Sequence, residues 1–302
     1  MSQRVLVTGA NGYAGGAIAA CLRARGMQVI TAGRSGVNDL KLDLSDPRRV
    51  ADLILPAGID ACVHAAAMHE VGCRADPQAA YVVNVAGTRA LLQACERAGV
   101  RRLAYVSTFH VYGSPAGLLD ESTPPVPAND YGLTHLQAEQ LFEWAARATG
   151  ASVDILRPAN LYGAPASWNG FDRWTLAPFD FCRQAVANGQ IVLHGQGLAV
   201  RNYLDVAHFA SVVAARLQEQ ASGVVHVAGA DWRIRDVAEL AAAQAGALLG
   251  RHVPVQCGDA KEVPAPNYQF QSLSLPPRRG DELAAMAAFL SQTLAHLMEH
   301  KA

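Results

Sequence analysis

The sequence predicts an α/β fold, a doubly wound parallel sheet with a small C-terminal lobe. Three observations carry that prediction. Val5 to Gly16, VLVTGANGYAGG, reads as an apolar strand, a turn with glycines at 9, 12 and 15, and an Ala-rich helix starting near Tyr13. Apolar runs of strand length then alternate with long helical segments, as a parallel sheet covered on both faces requires. Past Gly163 the alternation breaks at APASWNGFDRW. The expected boundaries are 1–163 for the sheet domain, with 201–228 returning to it, and 164–200 with 229–302 for the lobe.

The chain has 302 residues, enough for one large α/β unit carrying a second lobe. With 51% hydrophobic and 17% charged residues, and 25 Lys+Arg against 26 Asp+Glu, it is neither a disordered chain nor a polyanion binder. Nucleic acid is therefore not an expected partner. The first residues, MSQRVLVTG, enter the strand without a charged and then apolar leader, and no apolar run is long enough to span a bilayer. A cytoplasmic location, away from membranes, is the expectation. Cys21, Cys62, Cys73, Cys95, Cys182 and Cys257 are scattered without C-x-x-C pairs, which favours reduced structural thiols over disulfides or a metal site.

Taken in order, each element has a local reason. Glycines at 9, 12 and 15 permit backbone conformations that a side chain forbids and let the main chain approach a pyrophosphate, while the following helix offers its unpaired N–H groups. A dinucleotide suits that turn, although the spacing departs from the usual G-x-G-x-x-G. The helix ends at Gly26, and Gln28 to Ala32 is a second buried strand, completing a βαβ unit. At its end, where an acidic residue commonly holds the adenosine ribose, stand Gly33, Arg34 and Ser35. An Arg there pairs with a 2′-phosphate, which favours NADP(H) over NAD(H), unless Arg34 only ends the strand. Leu40 to Asp46 is a short strand with Ser45 or Asp46 as a helix cap. Asp43 is a candidate acceptor for an adenine amino group or a solvated turn residue. Ala61 to Ala67 is a fourth strand, whose exit at Ala65, Ala66 and Ala67 lets a flat ligand lie on the backbone. His64 within it reads as a hydrogen-bonded core histidine.

Tyr81 to Ala98 is a long helix closed by Gly99, and Val100 to Thr108 is the fifth strand. Gly117 to Asn129, rich in Pro and acidic residues, reads as a surface loop. It is followed by a helix over Tyr131 to Thr149 and a sixth strand over Ser152 to Pro158. Beyond the break come a helix (Phe179 to Asn188), a short strand (Ile191 to His194), RNYLDV (Arg201 to Val206) and GVVHVAG (Gly223 to Gly229). The last quarter, including Pro264 to Pro277, reads as more irregular, with a final helix from near Asp281.

Ser107 and Thr108 end the fifth strand, Tyr131 opens the next helix, and His135 lies one turn along on the same face. Ligands of open α/β sheets bind at such strand ends. In TGANGYAG, the HAAA strand, NVAGT at Asn84 to Thr88, YVSTFHVYG, YGLTH, LRPANLYG and RNYLDV, the chain resembles an extended short-chain dehydrogenase/reductase of the NAD-dependent epimerase/dehydratase family, nucleotide-sugar 4-epimerases in particular. The resemblance covers residue 4 to about 229 and implies a Rossmann domain with a substrate lobe.

By that resemblance Thr108 binds the reacting oxygen of the substrate and Tyr131 is the acid/base that moves the hydroxyl proton. A phenol titrating near pH 10 needs a neighbouring positive charge for that work at neutral pH. The family provides a Lys four residues after the Tyr, and here that position is His135. Three readings follow: His135 replaces Lys with an altered pH optimum, another cation reaches Tyr131, or the chain binds a dinucleotide without turnover, as a sensor. Asn11, Tyr13, Leu44, Asn84, Ser107 and Pro158 join the glycines, Arg34, Ser35, Asp43, the three alanines, Tyr131 and His135 as the implied cofactor contacts. Asn160 and Arg201 match residues that contact a nucleotide-sugar diphosphate, for which an arginine fork is suited. Phe109 and His110 stand where the sugar 4,6-dehydratases carry Asp-Glu, which disfavours that branch; His110 is either an extra proton donor or a space-filling residue. The expected chemistry is 4-epimerisation or keto reduction of a nucleotide-linked sugar, and the resemblance implies a homodimer.

Overall fold

A computed structural model describes residues 2–114, 116–258, 268–276 and 280–300. β1 (Arg4–Thr8) passes through the glycine turn into α1 (Tyr13–Ala24), β2 (Gln28–Gly33), β3 (Leu40–Lys41), α2 (Pro47–Ala51) and β4 (Ala61–His64). Next come α3 (Glu70–Ala75), α4 (Pro77–Ala80), a π-helical stretch (Tyr81–Gly87), α5 (Thr88–Arg97), β5 (Arg102–Val106), a single 3₁₀ turn (Phe109–Tyr112) and β6 (Gly117–Leu119). α6 (Asp130–Thr149), β7 (Ser152–Pro158), β8 (Asn160–Tyr162), α7 (Ala177–Asn188), β9 (Ile191–Leu193) and β10 (Val200–Asp205) follow. The chain continues through α8 (Val206–Gln218), β11 (Gly223–Val227), β12 (Ala230–Arg233), α9 (Ile234–Leu249), β13 (Val255–Cys257), β14 (Tyr268–Phe270) and α10 (Glu282–Glu299).

Seven strands form one parallel sheet in the order β11-β7-β5-β4-β1-β2-β3, so the chain winds outward in both directions from β1 and β4. Val5, Leu6 and Val7 are fully buried because helices cover both faces. α1 and α8 close one face over Ile18, Leu22, Phe209 and Val213. α2, α5 and α6 close the other over Leu91, Tyr105, Phe142 and Ile155. A third core, around Phe179, Val237, Ala241 and Phe289, joins α7, α9 and α10, with β9 and β13 paired beside it. The residues 206–227, as α8 and β11, belong to the sheet layer, whereas β10 pairs with β8 and β12 in a separate three-stranded sheet. The six cysteines are free thiols, and no helix among the described residues is long and apolar enough to cross a membrane.

Short polar side chains set the helix starts. Asp46, Asn129, Asp205 and Asp281 each accept a backbone N–H of the first turn they precede. Three expectations are corrected. The loop read over Gly117 to Asn129 contains β6, which pairs in parallel with β14 and so gains a partner that lies about 150 residues further on. The last quarter holds the 16-residue α9. Its Ala-rich face packs on α7, and within Pro264 to Pro277 residues 264–267 and 277 lie outside the described residues. The helix read from Tyr81 begins earlier, at Pro77, and its first seven residues after α4 are π-helical rather than α-helical.

Candidate active site

The glycine turn is fixed by its own crowding. Gly9 has φ +67°, and a Cβ there would stand 2.8 Å from the Ala65 carbonyl oxygen; one on Gly15 would stand 2.2 Å from the Gly9 carbonyl. The turn thus packs against both the exit of β4 and the start of α1 with no room for side chains. α1 has Gly12 as its N-cap, no capping side chain and no acidic residue in its first turn. Its N–H groups and positive dipole end are therefore left for an anion.

The polar residues below this turn hold it in place. His64 is fully buried between Thr8 Oγ1 at 2.7 Å and Thr88 Oγ1 at 2.9 Å. Thr8 Oγ1 in turn accepts the Ala66 N–H at 3.3 Å, so the histidine orients the alanine exit. Burial drives its pKa down to about 3, so it is a neutral core residue. Asn11 Nδ2 donates to the Ser35 carbonyl, as does Asn38 Nδ2 at 2.8 Å, tying the glycine turn to the loop after β2. Arg34 and Ser35 are exposed on that loop. Asp43 accepts from Ser45 Oγ at 2.7 Å, which lowers its pKa, and the charge of Arg34 adds to the effect. Leu44 is buried against Gly87, where any Cβ would meet its carbonyl oxygen at 2.6 Å.

Asn84, expected among the cofactor contacts, has its amide committed elsewhere. Oδ1 accepts the Met68 N–H at 2.6 Å, and Nδ2 donates to Thr134 Oγ1 at 3.0 Å. Buried in the π-helical stretch, it pins residue 68 and the first turn of α6 to one another. π turns widen a helix locally and often occur where a side chain must be aimed.

At the C-terminal edge of β1, β4, β5 and β7 lies a cleft of about 260 Å³. It gathers Gly12, Tyr13, Ala65, Ala67, Ser107, Thr108, Tyr131, His135, Pro158 and Asn160 from the expected set, together with His69, His110, Asp172 and Arg173. Gly9, Asn11, Gly15, Arg34, Ser35, Asp43, Leu44, Ala66, Asn84 and Arg201 are not in its walls. Arg201 lies on β10 with its guanidinium donating to its neighbour's carbonyl at 3.0 Å, and its charge reaches His110 and Tyr268. Asn160 Nδ2 donates to the Asn202 carbonyl at 2.9 Å.

Tyr131 opens α6, which Asn129 caps by accepting the Gly132 N–H at 2.9 Å. Gly132 is required here, because a Cβ would come within 2.4 Å of the His110 carbonyl oxygen. That closeness brings Tyr131 to the 3₁₀ turn, its ring 5.4 Å from that of His110. Burial raises the Tyr131 pKa, while the charge of Arg173 and a hydrogen bond with the Thr108 side chain oppose the rise. His135 is buried, its ring 4.6 Å from that of Tyr131 and its Nδ1 2.7 Å from Tyr105 Oη. Burial, with the nearby histidines 110 and 64, lowers its pKa to about 3, so it is neutral. Its Nε2 is buried without a partner. An orphaned imidazole nitrogen beside a glycine cradle fits a nicotinamide dinucleotide, whose ribose hydroxyls would satisfy it.

The motif pattern did not single out a buried chain of polar groups behind the cleft. Ser107 Oγ donates to Glu139 Oε1 at 2.5 Å, and Arg157 holds both carboxylate oxygens, at 2.9 and 2.5 Å. Arg157 also donates to Tyr112 Oη at 2.6 Å. His226 Nδ1 donates to the Gln271 carbonyl at 2.8 Å, so its Nε2 accepts from Tyr112 at 2.5 Å.

A family model described as NAD dependent epimerase/dehydratase family matches residues 5–229. The UDP-glucose 4-epimerase of Halalkalibacterium halodurans is 28% identical over 296 residues, which cover 89% of each chain. That of Azospirillum brasilense is 34% identical over 182 residues, 56% of this chain and 52% of its own length. Among solved structures, RMD from Pseudomonas aeruginosa complexed with NADPH superposes with a TM-score of 0.79 at 25% identity, covering 98% of this chain and 99% of that one. The UDP-glucose 4-epimerase of Thermus thermophilus in complex with NAD gives a TM-score of 0.75 at 23% identity over 99% and 100% of the two chains, a likeness of fold. The match across three quarters of the sequence, and the cradle and strand-end cleft it falls on, place this chain in the NAD-dependent epimerase/dehydratase family.

Proposed function

We propose that the protein is an NAD(P)-dependent epimerase or ketoreductase that acts on a nucleotide-linked sugar. The observation that carries this reading is the pair of hydroxyl residues Thr108 and Tyr131, which line one cleft beside the glycine cradle. A nicotinamide dinucleotide held by the glycine cradle would supply the hydride chemistry. Thr108 holds the reacting oxygen, and Tyr131 takes its proton on oxidation or returns it on reduction. His135 Nε2 would engage the ribose, and Gly9, Gly12 and Gly15 would admit the pyrophosphate to the α1 N-terminus. Phe109 and His110 leave no carboxylate at the positions that perform elimination in the dehydratases, which supports epimerisation or reduction. Residues 164–200 and 229–302 are the substrate lobe in this reading, with Asn160 in the cleft wall and Arg201 on β10 as the residues that would contact the diphosphate.

Exposed Arg34, on the loop clamped by Asn11, supports a preference for NADP(H); dissociation constants for NADPH and NADH check it. A homodimer through α5 and α6 is supported by half-exposed Trp144, over which Arg89 lies 4.3 Å from the ring centroid, and light scattering checks it.

The deciding experiment assays UDP- and dTDP-linked sugars and their keto forms with each cofactor, using Tyr131→Phe as the control. The expected outcome is turnover that falls at least ~100-fold in Tyr131→Phe, a loss typical of removing a general acid/base, with the cofactor still bound. The neutral state of His135 favours a second reading, a dinucleotide sensor, in which tight cofactor binding accompanies no turnover in either protein.

A further inference from the structure

The reaction needs a positive charge beside Tyr131, and His135 does not provide one: it is enclosed by Tyr105 and Tyr131 and is neutral. The other histidines of the cleft do not provide one either, since burial lowers the pKa of both His69 and His110. Among the described residues that line the cleft, Arg173 is the one Arg or Lys. Its guanidinium makes no hydrogen bond or ion pair with any described residue. Neighbouring Asp172 instead faces His69 at 3.9 Å.

The position of Arg173 is built, not incidental. Tyr13 Oη donates to the Gly163 carbonyl at 2.7 Å, so the chain leaving β8 is anchored to the first residue of α1. Two aromatic residues flanking Arg173 then pack into the same cluster. Phe171 lies 5.6 Å from Tyr13 and 4.7 Å from Phe179, and Trp174 lies 6.0 Å from Phe179. The Leu176 N–H closes the turn on the Arg173 carbonyl at 3.1 Å. The FDRW segment is thus an aromatic clip with a cation at its centre.

We propose that Arg173 is the positioning residue that provides, from the 164–176 segment, the positive charge the Tyr131 phenol requires, in place of a lysine on α6. This deepens the hydride-transfer reading and rests on it. The groups around Tyr131 are Glu70, Cys73 and Arg74 from α3, Thr108 at the end of the fifth strand, His110 from the 3₁₀ turn, Tyr105 from β5, Asp130 and His135 on its own helix, and Arg173. Of the two arginines, Arg74 is paired with Glu70 at 2.9 Å, which leaves Arg173 as the cation with no ion-pair partner among the described residues. Its charge favours the phenolate and holds the Tyr131 midpoint down.

The test places difluorotyrosine, whose phenol ionises near neutral pH, at position 131 of the full chain and follows its titration by fluorine NMR. Arg173→Gln is expected to raise the midpoint by about one pH unit, and Arg173→Lys to keep at least half of that difference. An unmoved midpoint in Arg173→Gln overturns the assignment, as does Arg173→Lys behaving like Arg173→Gln, since charge is the property invoked. The titration needs no substrate, so the two readings fail separately. If the midpoint moves but no nucleotide-linked sugar turns over, the charge assignment stands and the reaction assignment falls. Turnover with an unmoved midpoint does the reverse.

Discussion

His135 and Tyr131 share one wall of the cleft, and their environments push the two groups toward their neutral forms. A lysine at 135 would bring a second cation to the phenol, on the same helical face as Tyr131. A one-unit fall in a phenol pKa raises its ionised fraction at neutral pH about tenfold. His135→Lys should therefore increase oxidative turnover at pH 7 by up to about that factor and shift the rising, acid-side limb of the pH profile to lower pH; an unchanged profile would show that position 135 does not tune Tyr131. Much of the residue-scale reading was available from the sequence. The positions of Thr108, Tyr131 and His135 follow from a strand end and a helix start, both of which short-range patterns reveal, while their roles come from the family resemblance. The hydrogen bonds of Asn84 were not, because the groups that occupy its amide, Met68 N–H and Thr134 Oγ1, lie 16 and 50 residues away. Arg173 was not either: an arginine in a Trp- and Pro-rich break looks like any surface cation until the aromatic clip is seen to turn it inward.

At the scale of elements, β7 shows where local pattern and tertiary context part. Ser152 to Pro158 was legible as a strand despite Asp154 and Arg157, which a buried parallel strand rarely carries. Both are paired within the core, Asp154 with Arg216 of α8 at 2.7 and 2.6 Å, and Arg157 with Glu139 of α6. Each pair therefore joins a sheet strand to a covering helix. Removing one partner leaves a buried charge uncompensated, so Glu139→Gln should cost about 3–5 kcal/mol in urea unfolding. Glu70→Gln, which breaks the exposed Arg74–Glu70 pair, should cost no more than about 0.5 kcal/mol. Equal losses would contradict the burial argument. The π-helical stretch was not legible at all, since its apolar residues suit an α-helical period about as well. β6 was hidden for another reason: three residues among prolines and acids become a strand only when a distant segment pairs with them.

For the molecule as a whole, the buried histidines set the response to acid. His64 and His135 have their pKa lowered to about 3 and His226 to about 4, in each case first by burial. In the unfolded chain a histidine titrates near 6.5. Because the folded values are depressed, unfolding takes up protons between about pH 6.5 and those folded values. The stability they confer is complete above pH 6.5 and is lost as pH falls toward 3. Three such groups predict a slope of up to about 4 kcal/mol per pH unit near pH 5, measurable by urea unfolding at several pH values. His64→Gln should reduce the slope by about a quarter to a third, and an unaltered slope would mean that His64 titrates in the folded protein.

The pairing of β6 with β14 also has a consequence for the order in which the protein is made. By residue 227 the ribosome has delivered all seven strands of the main sheet, whereas the partner of β6 emerges only at residues 268–270. At about 5–20 residues per second, roughly 150 residues separate the two by some 7–30 s. Until then Phe109, which packs 6.1 Å from Phe270, and, once it has been made, His226, whose ring stacks 4.3 Å from the same side chain, lack that aromatic partner. The nascent chain therefore carries an apolar patch beside its future cleft until residues 268–270 have emerged, a place where a chaperone has something to hold.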